Sequence, residues 1–246
     1  MTSWFWAAHP RVAPRIRLFC FPYAVAGANV YRGWASRVPP DVEVVALQLP
    51  GRGPRLREPA VDRLEPLLQA LRGAFLPYQG VPFVFFGHSM GAVLAFEFCR
   101  WLRRHGDAAP VHLILSGCEP PPPESDSPPP RRLSDTDLIA WMRSMGGTPE
   151  GVLDNAEYMQ LVLPALRADL ALVDAWRPMP EAPLDIPVTI MGARDDTLVP
   201  ASVLEGWRDH TRSAYACHLF SGGHMFIRTE EASVLELICS VLVSGR

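Results

Sequence analysis

A serine with glycine on either side separates two different kinds of sequence in this chain. Before it, Val84-Phe85-Phe86 is a run of large apolar residues, and after it, residues 93–102 contain few polar positions. The first run predicts a buried strand and the second predicts a helix. Gly87 and Gly91 allow a tight turn between the two, because a side chain at either position would collide with the neighbouring strand and helix. The chain is therefore expected to fold around a strand–turn–helix unit with Ser89 in its strained turn.

Strands and helices alternate along much of the remaining chain. Residues 62–75 carry leucines at helical spacing, and other apolar runs end at proline or glycine, as strands often do. The further predicted strands are 16–21, 42–49, 111–116, 187–191 and 214–220. Strands that are apolar on both faces and alternate with helices are typical of a mostly parallel central sheet flanked by helices. We therefore predict an α/β fold.

This alternation is interrupted between residues 120 and 184. A proline-rich, acidic linker is followed by helical patterns at 135–145, 155–163 and 166–176 with no strand pattern between them. Because ligands bind at the carboxyl ends of the strands in such sheets, we interpret 120–184 as a helical lid inserted within one domain that spans 1–246. An ordinary crossover with additional helices is the alternative. Candidates for lining a pocket under this lid are Met142, Met145, Leu163 and Leu166.

Composition excludes several classes of function. A formal net charge of −3 over 246 residues gives no general attraction to nucleic acid or to an anionic membrane. The 5 cysteines are scattered and include no C-x-x-C pair, so neither a zinc site nor a disulfide framework is indicated. With no secretion signal and no apolar run of membrane-spanning length, we expect a cytoplasmic protein with free thiols.

A serine nucleophile requires a base to accept its proton and a carboxylate to orient that base. The loop after the 187–191 strand contains Asp195 and Asp196, and His224 lies in a glycine-rich loop after the last strand. The chain order Ser, Asp, His, each just beyond a strand, is the order of an α/β-hydrolase. The spacing Gly192-x-x-Asp195 favours Asp195 as the carboxylate. In the alternative arrangement Asp196 has that role instead of fixing the turn.

Two backbone N–H groups are expected to form an oxyanion hole for this serine. One belongs to Met90, directly after the nucleophile at the start of a helix, where amides have no partner within the helix. The other is predicted at Ala24, in a loop of small residues after the 16–21 strand.

Taken together, these motifs resemble the type II (editing) thioesterases of polyketide and nonribosomal peptide assembly lines. The resemblance extends over nearly the whole chain. The motifs that carry it are Leu18-Phe19-Cys20-Phe21-Pro22-Tyr23-Ala24, Gln48-Leu49-Pro50-Gly51-Arg52-Gly53, Phe86-Gly87-His88-Ser89-Met90-Gly91-Ala92, Leu163-Pro164-Ala165-Leu166-Arg167-Ala168-Asp169 and Gly222-Gly223-His224-Met225-Phe226.

The resemblance implies a monomeric serine hydrolase without a metal or redox cofactor. Its implied substrates are acyl groups held as thioesters on the phosphopantetheine arm of acyl or peptidyl carrier proteins. One departure stands out, because Val25 occupies a position where the family usually has glycine. Two alternatives stay open at this point. One is a serine esterase or a chain-terminating thioesterase on the same fold, and the other is a catalytically silent binding protein.

Overall fold

A computed structural model of the protein describes residues 4–121 and 133–244. Within these ranges, seven strands form one sheet in the order β1-β3-β2-β4-β5-β6-β7. The strands are β1 (Phe5–Trp6), β2 (Ile16–Phe21), β3 (Val42–Leu47), β4 (Phe83–His88), β5 (His112–Ser116), β6 (Val188–Ala193) and β7 (Tyr215–Phe220). All neighbouring strands are parallel except β1, which pairs antiparallel with β3 at the edge. The predicted, mostly parallel sheet is confirmed, and β1, a strand of two residues, is an addition to it.

Seven α-helices and four 3-10 helices accompany the sheet in the described ranges. The α-helices are α1 (Leu64–Phe75), α2 (Met90–Arg104), α3 (Asp135–Met145), α4 (Glu150–Leu153), α5 (Ala156–Asp174), α6 (Phe226–Thr229) and α7 (Glu231–Ser244). The 3-10 helices are Ala28–Ser36, Gly53–Arg55, Leu76–Tyr78 and Ala201–His210.

The region predicted as a lid differs from expectation in one respect. The sequence pattern indicated two helices separated near Pro164, but α5 continues through this proline as a single helix of 19 residues. A proline removes one backbone hydrogen bond and disfavours the helix. Here apolar packing on both sides of it compensates, because Leu163 and Leu166 are both buried in one cluster with α3 and α4.

Residues of the central strands face opposite sides of the sheet in alternation. Phe19 and Phe85 pack with α1 and α2 in one buried cluster, whereas Leu18 and Phe86 pack on the other side with the 28–36 helix and α7. Because alternate residues are buried on opposite faces, nearly every position is apolar and the strands read as continuous apolar runs. The sheet is therefore buried on both faces, as predicted.

A third buried cluster belongs to the insertion between β5 and β6. It joins apolar side chains of α3, α4 and α5, which we call the insertion helices. Part of the predicted lid, 122–132, lies outside the described residues. Among the described residues, no helix is long and apolar enough to cross a membrane.

The parallel arrangement determines where a functional site can form. The loops that follow β2, β4, β6 and β7 all leave the sheet at the same edge, since parallel strands end on the same side. Ser89, Asp195, Asp196 and His224 all lie in these loops.

Candidate active site

The turn at Ser89 has the strained geometry that the sequence predicted. Ser89 has φ 54° and ψ −122°, outside the regions that L-residues commonly adopt. A Cβ atom at Gly87 would lie 2.1 Å from the carbonyl oxygen of Gly91, and one at Gly91 would lie 2.0 Å from that of Phe21. Both glycines are therefore required by backbone contacts. The backbone N–H of Ser89 donates to the carbonyl of Ser116 on β5 at 2.8 Å, which ties the turn to the sheet.

The turn brings Ser89 to the imidazole of His224. The Oγ of Ser89 lies 3.0 Å from Nε2 of His224, and Nδ1 of His224 lies 2.8 Å from Oδ2 of Asp196. The side chain of His224 is 7% exposed and that of Asp196 is fully buried. The three side chains form one hydrogen-bonded chain across three strand-end loops. This is the arrangement in which an imidazole can accept a serine proton while a carboxylate orients the ring.

The prediction that Asp195 contacts the histidine is wrong. Asp195 is exposed, and its backbone N–H donates to the carbonyl of Gly222 at 3.1 Å. The adjacent side chain, that of Asp196, points in the opposite direction and is buried. The expectation that Asp196 fixes the turn is nevertheless correct, because its Oδ1 accepts the N–H groups of Leu198 at 2.9 Å and Val199 at 3.0 Å. One carboxylate thus shapes the loop with one oxygen and contacts His224 with the other.

The surroundings of Asp196 favour its ionised form. Burial by itself raises the pKa of this carboxyl group, but the hydrogen bond and the charge of His224, followed by the N–H groups of Val199 and Leu198, outweigh it. The pKa of Asp196 is therefore below its ordinary value. At neutral pH this carboxylate can stabilise a positive charge that develops on His224.

His88, next to the nucleophile, is buried behind the site. Its Nδ1 lies 3.0 Å from the hydroxyl of Ser116, and its ring centroid lies 5.2 Å from that of His224. Burial, and then the neighbouring His224, lower the pKa of His88 well below 6.5. His88 is therefore neutral at physiological pH, and its ring packs behind the Ser89 turn.

The loop at residues 22–27, which we call the facing loop, lies against the Ser89 turn. The absence of a side chain at Gly91 lets the backbone of Phe21 and Pro22 approach the first turn of α2. Met90 begins this helix, and Ala24 lines the same cavity as Ser89 and His224. The two residues predicted to donate to an oxyanion thus belong to the two segments in contact at the site. Their role as donors stays a prediction.

The facing loop is held by contacts that the sequence reasoning did not predict. Val25 has φ 69°, and its backbone N–H donates to Oδ2 of Asp169 on α5 at 2.6 Å. The same carboxylate accepts two hydrogen bonds from the guanidinium of Arg52, at 2.6 and 2.7 Å. Arg52 and Asp169 each lie in a motif noted above, but their pairing over 117 positions cannot be read from one sequence.

A cavity of about 640 Å³ opens above Ser89 and His224, between the facing loop and the insertion helices. Its volume is typical of sites for small organic ligands. Two of the four residues predicted to line it, Met142 and Met145, do so. The other two, Leu163 and Leu166, are instead buried in the cluster that joins the insertion helices. Further apolar side chains on the cavity wall are Leu56, Trp141, Val152, Tyr158, Leu161 and Val162.

Comparison with solved structures confirms the predicted α/β-hydrolase fold. The chain is similar to RedJ, the thioesterase from the prodiginine biosynthetic pathway in Streptomyces coelicolor, with a TM-score of 0.86 and 36% sequence identity. That match covers 93% of this chain and 91% of RedJ. It is also similar to BorB, a type II thioesterase from the borrelidin biosynthetic cluster, with a TM-score of 0.87, 29% identity and 98% of each chain covered.

Sequence comparison extends this similarity. The gramicidin S biosynthesis protein GrsT of Aneurinibacillus migulanus is 34% identical over 242 residues, which are 98% of this chain and 94% of GrsT. The sequence profile of the thioesterase domain family matches residues 16–242. The resemblance to type II thioesterases is thereby confirmed, and the chain belongs to the thioesterase domain family.

Proposed function

We propose that this protein is a serine thioesterase that hydrolyses acyl groups from the phosphopantetheine arm of carrier proteins. The observation that carries the proposal is the hydrogen-bonded chain Ser89–His224–Asp196 under a cavity of ligand size, in a chain of the thioesterase family. The relatives named for gramicidin S, prodiginine and borrelidin biosynthesis support an assembly line as the source of the substrate. In that setting the enzyme removes acyl units that have stalled on a carrier.

The first half of the reaction forms an acyl-enzyme. Nε2 of His224 accepts the proton of Ser89 as its Oγ attacks the thioester carbonyl, and Asp196 stabilises the imidazolium that results. The N–H groups of Met90 and Ala24 donate to the oxyanion of the tetrahedral intermediate. When that intermediate collapses, the C–S bond breaks and the proton on His224 passes to the departing thiolate.

The second half releases the acid. Water takes the place of the thiol, His224 accepts its proton, and the hydroxide attacks the acyl carbon to form a second tetrahedral intermediate. Collapse breaks the bond to Oγ of Ser89, and His224 returns the proton to the serine. Each step uses only side chains, backbone N–H groups and water, so the proposed cycle needs no cofactor. The insertion helices act as a lid that covers the acyl group during these steps.

Replacing the nucleophile tests the proposal. Ser89→Ala is expected to abolish labelling by a fluorophosphonate and to lower kcat on an acyl-carrier thioester by about 10⁶-fold, without loss of the fold. Mass spectrometry of the fluorophosphonate adduct, steady-state kinetics and circular dichroism measure these three results. Retained turnover in this variant would contradict the assignment of Ser89.

The choice of substrate separates the proposal from its alternatives. A wild-type enzyme that prefers simple oxoesters to acyl-carrier thioesters would be a general esterase. Formation of a macrocycle instead of a free acid would indicate a chain-terminating thioesterase. A wild-type protein that does not react with the fluorophosphonate would be a silent member of the fold. A clear preference for carrier-bound thioesters with release of the free acid supports the proposal.

A further inference from the structure

A buried ion pair connects the insertion helices to the facing loop. Asp169 on α5 and Arg52, after β3, are joined by two parallel N–H···O bonds at 2.6 and 2.7 Å. Their side chains are 1% and 7% exposed. Such a forked pair is geometrically demanding, and losing one partner leaves a buried charge without compensation. A rigid, buried ion pair of this kind is expected to fix the position of any backbone group that is hydrogen-bonded to it.

The ion pair contacts the backbone of Val25. Oδ2 of Asp169, which already accepts from Arg52, also accepts the Val25 N–H at 2.6 Å. Val25 has φ 69°, a conformation that is unfavourable for an L-residue and more so for a β-branched one. Its side chain packs against the cluster of the insertion helices. The loop therefore keeps a strained residue next to the site, held by one hydrogen bond and by packing.

Fixing the Val25 N–H restricts the neighbouring donor. Because the peptide unit is planar, the orientation of the Val25 N–H also sets that of the Ala24 carbonyl. Only the two backbone dihedral angles of Ala24 then separate this fixed unit from the Ala24 N–H. The hydrogen bond to Asp169 also occupies the Val25 N–H, and the Ala26 N–H donates to the carbonyl of Tyr23 at 3.1 Å, so neither of these two groups is available to an oxyanion.

The segment that carries Arg52 holds the other end of the same loop. The backbone N–H of Ala28 donates to Oε1 of Gln48 at 3.0 Å, and Nε2 of Gln48 donates to the carbonyl of Arg52 at 3.0 Å. Gln48 is buried. The segment after β3 thus anchors the facing loop at Val25, through Arg52 and Asp169, and holds Ala28, the residue directly after the loop, through Gln48.

We propose that Asp169 and Arg52 are positioning residues that hold the Ala24 N–H in place for the oxyanion and link this donor to α5. The proposal rests on the proposed function, because it requires Ala24 to act as a donor. In this arrangement, a displacement of α5 withdraws Asp169 from Val25 and allows the loop to relax. The oxyanion site is then complete only while α5 keeps Asp169 in contact with Val25.

Asp169→Asn tests the proposal in the full-length protein. The amide keeps the size of the side chain but loses the charge and one of the bonds to Arg52. We expect kcat on an acyl-carrier thioester to fall between tenfold and about 10³-fold, the upper value being that of a lost oxyanion donor, while KM changes by less than about threefold. The rate of inactivation by a fluorophosphonate should fall in parallel.

Glu97→Gln is the matched control. Glu97 and Arg100 form an ion pair with side chains 4% and 5% exposed, and Glu97 also accepts a second hydrogen bond, from Nε1 of Trp176. Glu97 lies on α2, seven positions after Met90 and so about 10 Å along the helix from the site. Loss of the ion pair between Glu97 and Arg100 is expected to change kcat per folded molecule by less than about twofold.

A second substitution separates positioning from a general structural role. Glycine adopts positive φ without strain, so in Asp169→Asn the additional change Val25→Gly should remove the tendency of the loop to relax. We expect this double variant to recover kcat at least about threefold over Asp169→Asn alone. If Asp169→Asn does not fold by circular dichroism, Arg52→Lys, which keeps the charge but not the fork, is expected to lower kcat about tenfold.

Distinct outcomes would overturn this proposal. They are a kcat for Asp169→Asn within twofold of wild type, an equal loss in Glu97→Gln, a change in KM alone, or no recovery with Val25→Gly. In the case where Arg52→Lys replaces Asp169→Asn, a kcat within twofold of wild type overturns it. By contrast, a wild-type protein that does not react with the fluorophosphonate would contradict the proposed function itself.

Discussion

Two residues at the site, Ser89 and Val25, have positive φ without being glycine, at 54° and 69°. The Ser89 turn (residues 87–91) is held by backbone contacts, namely Gly87 against Gly91 within the turn and the Ser89 N–H against Ser116 on the neighbouring strand β5. The facing loop is held by side chains, with Asp169 coming from 144 positions away. One half of the site is therefore built from backbone contacts within the turn and with the sheet, whereas the other half depends on the position of α5. The two halves should therefore respond differently to substitution.

The substitution with the largest predicted consequence probes the hydrogen-bonded chain Ser89–His224–Asp196. Asp196→Asn should lower kcat by about 10⁴-fold, the size seen when the carboxylate of a serine protease triad becomes an amide, because His224 loses its orienting acceptor. The matched variant Asp195→Asn changes an exposed side chain and should stay within about threefold of wild type. Steady-state kinetics on one acyl-carrier thioester measures both. The opposite ranking would restore Asp195 as the orienting carboxylate.

The next effect tests the local construction of the Ser89 turn. Gly87→Ala places a Cβ atom 2.1 Å from the carbonyl oxygen of Gly91, so the backbone must move. We expect the free energy of unfolding to fall by at least about 3 kcal/mol in urea denaturation. The control is Gly73→Ala in α1, where nothing beyond the chain neighbours and the helix's own backbone lies within 4 Å of the added carbon, and alanine should stabilise by up to about 1 kcal/mol. Equal results at both positions would show that the turn is not sterically fixed.

A smaller effect tests whether the Ser89 side responds to pH through His88. The pKa of His88 is lowered in the folded protein, so the unfolded chain binds the extra proton first. The contribution of His88 to the free energy of unfolding is therefore fully present above the unfolded pKa of about 6.5, and it declines as the pH falls below that value. We expect this residue to account for a loss of about 1 kcal/mol between pH 7 and 5.5.

Urea denaturation at the two pH values measures this effect. His88→Asn keeps a polar group near Ser116 but cannot titrate, so its unfolding free energy should depend less on pH than that of wild type. An unchanged pH dependence would show that His88 is protonated equally in the folded and unfolded states.

The smallest effect concerns the facing loop. Val25→Gly and Val25→Ala both remove apolar contacts with the insertion helices, but only glycine also removes the cost of positive φ. The glycine variant should therefore be the more stable of the two by about 1 kcal/mol, measured by thermal unfolding. This order is the reverse of that expected at position 73. The same order at both positions would mean that residue 25 relaxes when its side chain is shortened.

The Ser89 turn was predictable because its causes are local. An apolar run, two glycines and a helical pattern within about 20 residues are enough to place the nucleophile, and His224 could be located by its loop after the last strand. The identity of the contacting carboxylate was not predictable in this way. Asp195 and Asp196 are adjacent and chemically identical, and only the direction that the folded loop gives each side chain separates them.

Periodicity predicts the alternation of strands and helices, the steric needs of glycine predict the strained serine, and the positions after the predicted strands predict the chain order of the reacting groups. The contact of Asp196 with His224, the continuation of α5 through Pro164 and the hydrogen bond of Asp169 to Val25 arise only in the folded protein. One cause applies to all three. These outcomes depend on packing and hydrogen bonds between residues distant in the chain, whose energies outweigh local preference once the sheet has brought the segments together.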